Sequence, residues 1–502
     1  MSEPTLKPNY KVLCFRITDI YILIMLFLFP LFTGFEGYAK VTFSKYLFFI
    51  IATTLWLVIL IIFKLCAGRG LKAKAPSLVG LLLLLYLALC AFSAIFSPYM
   101  PSALVGAGRY DGLITTFLSV GIFWGVSLYA RPKRIYIYAA AAAVTINCVI
   151  AVLQILGLNP LWLFPGDYDF YDAGIKFTST FFGTIGNADL FSAYICLILP
   201  IVSVYYMTNA KRSLVLLSVA ALLAFCLFVC DVSAGILAIA VTALIASPIV
   251  IRNGERLRRA LELFLLAAVA AFLAVSLIFT NGSSGVDVRF VFSHYSKVLT
   301  ALTAVVTVLR FVLRKSEFRQ TQLLLFFSSL SVGAVVLGLF AAYNWHGTNG
   351  TLYELSQVMH GNIQDSFGSS RILIWRKTLE LVPEHLLFGG GPGTLALRLD
   401  VNFSRFVEET GNTLSSSVDN AHNDYLGILV NTGLLSMIVY LIAQITSFAK
   451  AVKSNSPVLA CLIFGLACYW VQAFFGLGLF LVSPLMWLFW GLLASELHQS
   501  KN

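Results

Sequence analysis

The chain has 502 residues, of which 59% are apolar and 11% are charged, and its mean hydropathy is +0.88. Since a soluble domain carries about 25% charged residues, this composition excludes a soluble protein as well as a collagen-like, disordered or disulfide-stapled chain. The net charge of +11 would suggest a nucleic-acid partner in a soluble protein, but here the basic residues stand in short stretches between apolar runs. They indicate membrane topology, and we expect no nucleic-acid partner.

The apolar runs predict an all-α polytopic membrane protein with about fourteen transmembrane helices, within a range of about twelve to fourteen. We expect residues 1–502 to form a single integral membrane domain. The first run is followed by no convincing cleavage site, so we expect it to remain as a transmembrane helix. In chain order the predicted spans lie near 18–34, 46–65, 77–97, 113–130, 135–157, 188–207, 213–231, 233–251, 260–280, 293–313, 321–343, 424–446, 457–474 and 478–495.

The positive charges orient these predicted helices. If the N-terminus is cytoplasmic, most of the 34 lysines and arginines fall in segments on the same side of the membrane. Loops rich in Lys and Arg stay in the cytoplasm, so both termini are predicted to be cytoplasmic. Residues 344–423, called the polar loop below, then form an extracytoplasmic loop between two transmembrane helices. A loop of this length needs structure of its own, and we expect two or more short helices in it.

Two short segments before the polar loop are also predicted to face outward. Arg109 and Asp111 stand at the outer end of the fourth predicted helix, and the segment Gly183–Asp189 breaks the chain just before the sixth. Either segment could line a cavity, or serve as an interface anchor or an ordinary turn.

The nine cysteines lie in or beside apolar runs and imply no disulfide framework. Cys226 and Cys230 are one helical turn apart. Without further ligands nearby, such a pair is typical of small apolar packing residues and not of a metal or redox site.

The first segment of interest in the polar loop is FGSSRILIWRKTLELVPEH, residues 367–385, which predicts a helix. Ser369 or Ser370 can cap it, and Arg371 and Trp375 lie one turn apart on one face. An arginine in the first turn of a helix can present its planar fork, with nearby backbone N–H groups, to a pyrophosphate. The alternative is an interfacial arginine that anchors the loop to lipid headgroups or pairs with a local acid.

The second segment is FGGGPG, residues 388–393. Consecutive glycines allow positive φ and close backbone approach, which suits a phosphate-cradling nest or a tight turn. The segment lacks the Lys-Ser/Thr of a nucleotide-binding P-loop, and the tight turn is the favoured interpretation.

The third segment is DNAHNDYL, residues 419–426, where the polar loop returns to the membrane. The titration range of His422 suits a general base, and Asp419 or Asp424 could orient or tune it. The alternative is a hydrogen-bonded structural histidine. The other three histidines of the loop, His346, His360 and His385, show no zinc-binding spacing, so we expect no metal site.

The order of these segments resembles the O-antigen ligase and O-antigen polymerase superfamily of bacterial membrane glycosyltransferases. The matching motifs are GRYDGL, then TSTFFGTIGNADLFSAY, then SSRILIW with PEHLLFGGGPG, then AHNDYLGILVNTGLLS, and they lie in the family's order between about residues 100 and 435. The combination of Arg-x-x-x-Trp, glycine turn and His-Asn around a long polar loop is what makes the resemblance specific.

The resemblance implies an enzyme of the bacterial inner membrane that builds cell-envelope polysaccharide such as lipopolysaccharide. It would take a glycan from undecaprenyl pyrophosphate and join it to an acceptor hydroxyl, without a nucleotide sugar, cofactor or metal and with inversion at the anomeric carbon. By motif, Arg371 would bind and stabilise the pyrophosphate, and His422 would position or deprotonate the acceptor. The residues expected to contribute to substrate binding are Arg109, Asn187, Arg289, Trp375, Arg376, Gly391 and Asn423.

The expected partners are the lipid-linked glycan, membrane lipids and a hydroxyl-bearing acceptor: lipid A core, a protein, a cell-wall polymer or another lipid-linked glycan. The sequence also departs from the family pattern at one point. Many members carry Ser-Arg-Gly near an outer helix boundary, whereas this chain has VSAG at 232–235, with Ala234 in place of the arginine. The pyrophosphate site would then be weaker by one cation, unless Arg109, Arg289 or Arg376 substitutes, and the alternative is a divergent or inactive member.

The sequence is compared with three functions of multi-pass membrane proteins: ligation, polymerisation and transport. Ligation is the first prediction, because the polar loop carries the Arg371 and His422 motifs together. Polymerisation, in which lipid-linked repeat units are joined, is the alternative. A polysaccharide flippase or secondary transporter would show internal symmetry and charged residues at mid-membrane, neither of which the sequence displays.

Overall fold

The computed structural model describes residues 9–67, 77–164, 183–281, 294–313, 317–407 and 412–499. Most of these residues are helical, as predicted. A helix lies at each of the fourteen segments predicted to span the membrane. These helices are Tyr10–Leu31 (with a π-helical stretch at Ile24–Leu28), Val41–Ala67, Leu78–Ile95, Leu113–Tyr129, Arg134–Ile155, Ala188–Thr208, Leu214–Val229, Ser233–Val250, Gly254–Asn281, His294–Val312, Gln320–Tyr343, Asp424–Lys453, Pro457–Ala473 and Ser483–Gln499.

Eight of the described helices are long and apolar enough to cross a membrane, which establishes a multi-pass membrane protein. The helix Ala188–Thr208 lies at the centre of the bundle, since 83% of its most apolar stretch is buried, whereas only 11% is buried in Gln320–Tyr343 at the edge. The number of about fourteen spans and the sidedness of the termini stay predictions. All nine cysteines are free, and Cys226 and Cys230 are buried.

A buried lysine in the second helix has a structural explanation. Lys45 is fully buried, and its Nζ donates hydrogen bonds to the carbonyl oxygens of Phe29 (2.9 Å) and Pro30 (2.8 Å). These carbonyls lie at the end of a helix, where backbone acceptors lack intrahelical partners. Lys45 satisfies them, so its charge requires no transport pathway to explain it.

The polar loop contains short helices, as predicted, together with a two-stranded ribbon that the all-α prediction omitted. Its helices are Thr351–Met359 and Arg371–Glu380, with single 3₁₀ turns at Pro383–His385 and Leu395–Leu397. The strands Asn402–Val407 and Asn412–Ser417 pair antiparallel, with Asn402 opposite Ser417.

A small apolar cluster holds the parts of the polar loop against each other. Ile374, one turn after Arg371, packs in one cluster with Ala421, which precedes His422 and is fully buried. The same cluster includes residues from the segment before the ribbon, from the position just after it and from the following helix, namely Leu395, Leu399, Val401, Val418, Leu426 and Val430. The cluster therefore fixes the Arg371 helix beside the turn that carries His422.

The helix Asp424–Lys453 is broken at Gly433, which has φ 88° and ψ 171°. Residues 386–391 run alongside the break: the N–H groups of Gly390 and Gly391 donate to the carbonyls of Val430 (3.1 Å) and Asn431 (2.8 Å), and Leu434 N donates to Leu386 O (2.8 Å). The polar loop thus supplies the backbone partners that the broken helix lacks.

We expect Gly433→Ala to destabilise the protein by about 1–3 kcal/mol, because an alanine at this φ is strained and its Cβ would collide with the Leu387 carbonyl. Thermal unfolding in detergent measures the effect. Gly427→Ala is the matched control in the same helix, since its Cβ meets nothing within 4 Å. Equal unfolding temperatures for both variants would show that the break does not need glycine.

Candidate active site

Arg371 begins a helix through a tight left-handed turn and not through a serine cap. Gly368, Ser369 and Ser370 all have positive φ (64°, 57° and 64°), and no side-chain cap hydrogen bond is present. The prediction that Ser369 or Ser370 caps this helix through its side chain is therefore wrong. Arg371 Nη1 donates to the carbonyl of Gly368 at 3.1 Å, so the turn itself aims the guanidinium.

The Arg371 side chain retains an unused donor. Its Nη2 lies 3.9 Å from Asp189 Oδ1, and both side chains are about three-quarters buried. Its Nε is buried and has no hydrogen-bond partner within the described ranges. A buried guanidinium with a free N–H is costly unless an acceptor completes it.

Trp375 lies one turn further along the same helix. Its ring packs against Phe474 and Phe475, with ring centroids 5.9 and 6.3 Å away. The indole Nε1 is also buried with no partner among the residues described. Arg371 and Trp375 thus offer two unsatisfied donors at helical spacing, which suits an anion with several acceptor oxygens.

His422 stands in a strained turn between the ribbon and the broken helix. Its φ is 49°, and its backbone N–H donates to Asn420 Oδ1 at 2.9 Å. Burial lowers the pKa of His422, and the positive charges of Arg371 and Arg109 lower it further, while Asp189 and Asp419 act in the opposite direction. The imidazole is therefore neutral near pH 7 and able to accept a proton.

Arg109 adds a second positive charge beside His422, and the charged residues around His422 are called the cluster below. Its Nε donates to Asp419 Oδ2 at 2.6 Å, and both side chains are about two-thirds buried. Asp111, two residues further, is enclosed, and burial raises the pKa of its carboxyl, although Arg109 opposes the shift. The structure therefore brings Arg371, His422 and Arg109 together across more than 300 residues of sequence, with Asp189 and Asp419 as counter-charges.

The glycine turn is a docking element. The N–H groups of Gly389, Gly390 and Gly391 are all donated to protein carbonyls, those of His385, Val430 and Asn431 respectively. Gly391 has φ 115°, and a Cβ there would collide with Ser97. The turn interpretation explains these glycines, since their N–H groups are not free to cradle a phosphate.

The other predicted binding residues divide into three groups. Asn187 and Asn423 are helix caps beside the cluster, and they accept hydrogen bonds from Leu190 N (3.1 Å) and Leu426 N (3.0 Å). Arg376 is half exposed and forms ion pairs with acidic side chains of its own loop, Asp365 (2.5 Å) and Glu380 (3.8 Å). Arg289 lies outside the described residues.

Ala234 is buried in the first turn of the helix Ser233–Val250, where the family pattern has an arginine. Of Arg109 and Arg376, the two candidate substitutes that the structure describes, Arg109 is the one whose charge acts on His422. The described ranges contain no group of three or more His, Cys, Asp or Glu side chains placed to hold a metal ion.

Sequence reasoning did not single out Asp189 as a site residue, although the segment that contains it was noted. The available signal is a single acidic residue in the first turn of a helix that carries no other charged residue. The sequence also suggested Asp424 as a candidate partner of His422. The carboxylates that act on His422 are Asp189 and Asp419, whereas Asp424 lines a separate cavity.

The fold and this cluster define a multi-pass membrane protein with a candidate active site of two arginines, one histidine and acidic counter-charges at one end of the bundle. Residues 288–441 match the family model described as O-Antigen ligase. The match covers Arg371, the glycine turn and His422, and it supports the resemblance to the O-antigen ligase and polymerase superfamily. No curated protein sequence matches it.

Proposed function

We propose that this chain is an O-antigen ligase-like glycosyltransferase of the bacterial inner membrane, with cytoplasmic termini and the polar loop on the opposite face. It moves a glycan from undecaprenyl pyrophosphate to an acceptor hydroxyl, with inversion at the anomeric carbon and without a metal ion or other cofactor. The family match supports the membrane-enzyme class. The observation that carries the reaction is the placement of Arg371, with its unpaired Nε, in electrostatic range of a neutral His422.

Arg371 acts on the leaving group. As the bond between the anomeric carbon and the pyrophosphate oxygen breaks, its electron pair stays on that oxygen and negative charge grows there. A guanidinium aimed at this oxygen therefore stabilises the transition state more than the ground state. Asp189 Oδ1 lies 3.9 Å from Arg371 Nη2, beyond hydrogen-bond distance, so a pyrophosphate can replace Asp189 as the main partner of Arg371.

His422 acts on the acceptor. The neutral imidazole accepts the proton of the acceptor hydroxyl while the hydroxyl oxygen forms its bond to the anomeric carbon. Attack from the face opposite the pyrophosphate inverts the configuration at that carbon. Arg109, held by Asp419, supplies the second positive charge that Ala234 does not, and its charge adds to the effects of burial and of Arg371, which lower the pKa of His422.

Reconstituted glycan transfer tests this proposal. Purified protein in liposomes, given an undecaprenyl pyrophosphate glycan and candidate hydroxyl acceptors in EDTA, is expected to produce a glycosylated acceptor and free undecaprenyl pyrophosphate. Liposomes without protein are the control. Addition of one preformed glycan to the acceptor indicates ligation, and a ladder of longer lipid-linked products indicates polymerisation instead. Movement of the glycolipid across the bilayer without transfer would show that the protein is a flippase and not a glycosyltransferase.

A further inference from the structure

A polar cavity of about 120 Å³ lies beneath the turn that carries His422. It is lined by the acidic side chains Asp111, Asp419 and Asp424 and by aromatic side chains that include Tyr469 and Trp487. Since a cavity of about 150 Å³ holds a benzene ring, this smaller cavity has room for no more than part of a single sugar ring. It adjoins the cluster through Asp419, which also binds Arg109.

Asp424 is partly buried and lines this cavity, and no described residue donates a hydrogen bond to its carboxyl group. The backbone at Gly478 passes so close that a Cβ there would collide with Asp424 Oδ1, which fixes the carboxyl in place. The hydroxyl of Tyr469, on the same cavity wall, is likewise buried without a partner in the described part of the chain. Such groups are costly to bury unless a ligand or water completes them.

The positive charge of Arg371 and the negative charges of the cavity favour different parts of the substrates. A pyrophosphate suits the Arg371 side of the turn and is repelled by the cavity, where Asp111 and Asp424 face each other's charge. A polyprenyl chain would leave the same carboxyls unsatisfied. Sugar hydroxyls donate hydrogen bonds to carboxylate oxygens, and the C–H face of a sugar ring can pack against the apolar faces of Tyr and Trp rings.

We propose that the cavity formed by Asp111, Asp424, Tyr469 and Trp487 binds one uncharged sugar residue of the glycan substrates and excludes acidic sugars. This inference rests on the proposed function, because it assigns part of the same substrates to a subsite. The sugar belongs either to the donor glycan or to the acceptor, and the chemistry of the cavity is the same for both. Asp424 and Asp111 accept hydrogen bonds from its hydroxyls.

Free monosaccharides test the cavity without any transfer reaction. Glucose and N-acetylglucosamine are expected to change the tryptophan fluorescence of the wild-type protein with millimolar Kd, and Trp487→Phe should remove that change. Glucuronic acid, which carries a carboxylate, is expected not to bind. This wild-type comparison needs no variant at a buried acid, and an equal response to glucose and glucuronic acid, or no response to either neutral sugar, would overturn the proposal.

Asp424→Asn is expected to weaken neutral-sugar binding by at least about tenfold, since hydrogen bonds to a charged acceptor are the stronger ones. Asp400→Asn, at an exposed position of the polar loop, is the matched control and should bind as wild type. Unchanged binding by Asp424→Asn at an unchanged unfolding temperature would remove Asp424 from the site.

Transfer kinetics then separate the two sources of the sugar. A raised KM for the acceptor alone in Asp424→Asn assigns the cavity to the acceptor, and a raised KM for the donor alone assigns it to the donor. Sugar binding that persists in a protein with no transfer activity would count against the proposed function and leave the subsite standing. Active transfer with no sugar binding would support the proposed function and overturn the subsite.

Discussion

Replacing Arg371 with alanine is expected to reduce the kcat of glycan transfer by about 100- to 1,000-fold, the usual effect of removing one preorganised donor from a developing oxyanion. KM for the donor should change less than kcat, because the charge on the pyrophosphate oxygen grows mainly in the transition state. Arg371→Lys should recover only part of the rate. A lysine keeps the charge but cannot donate to the Gly368 carbonyl and to two phosphate oxygens in one plane.

Lys377→Ala is the matched control for Arg371. Lys377 lies in the same helix, is partly exposed and pairs with Glu380 at 2.8 Å, so its loss removes a cation from the polar loop without touching the cluster. Single-turnover transfer at saturating donor compares the variants directly. If Arg371→Ala folds normally and keeps the wild-type kcat, a residue other than Arg371 stabilises the pyrophosphate.

The helices were predictable from sequence because apolar run length is a local property. A run near twenty residues becomes a helix wherever it packs, and a helix lies at every predicted segment. The break at Gly433 was not predictable in this way, since residues 424–446 form one apolar run and the strain at Gly433 is fixed by contact with Leu387. The ribbon was missed because its strands are short and lack a strong apolar alternation.

The site was predictable in part, through motifs. Arg371 and His422 were proposed together because they resemble a family pattern, and no spacing argument brings two residues so far apart in the sequence within electrostatic range of each other. Asp189 comes from a third region of the chain. Asp424 was paired with His422 on the basis of proximity in sequence, but the left-handed turn at His422 puts the two side chains in different surroundings. A single φ value of this kind depends on tertiary contacts.

Replacing His422 with alanine is expected to reduce transfer by about 100- to 10,000-fold, as for the loss of a general base. His385→Ala is the matched control, since His385 is an exposed histidine of the same polar loop and should leave transfer unchanged. An equal fall in both variants would point to a general need for loop histidines and not to a base at His422.

The pH profile separates a base from a histidine that only positions the acceptor. Burial, Arg371 and Arg109 lower the pKa of His422 below its ordinary 6.5, so the active neutral form predominates above that pH. The kcat/KM of the wild type should therefore be constant near neutrality and fall as the pH drops through a value below 6.5. Asp189→Asn removes a charge that raises this pKa and should move the fall to still lower pH. Since kcat/KM reports ionisations of the free enzyme, the same acid fall in the residual activity of His422→Ala would assign the titrating group to a different residue.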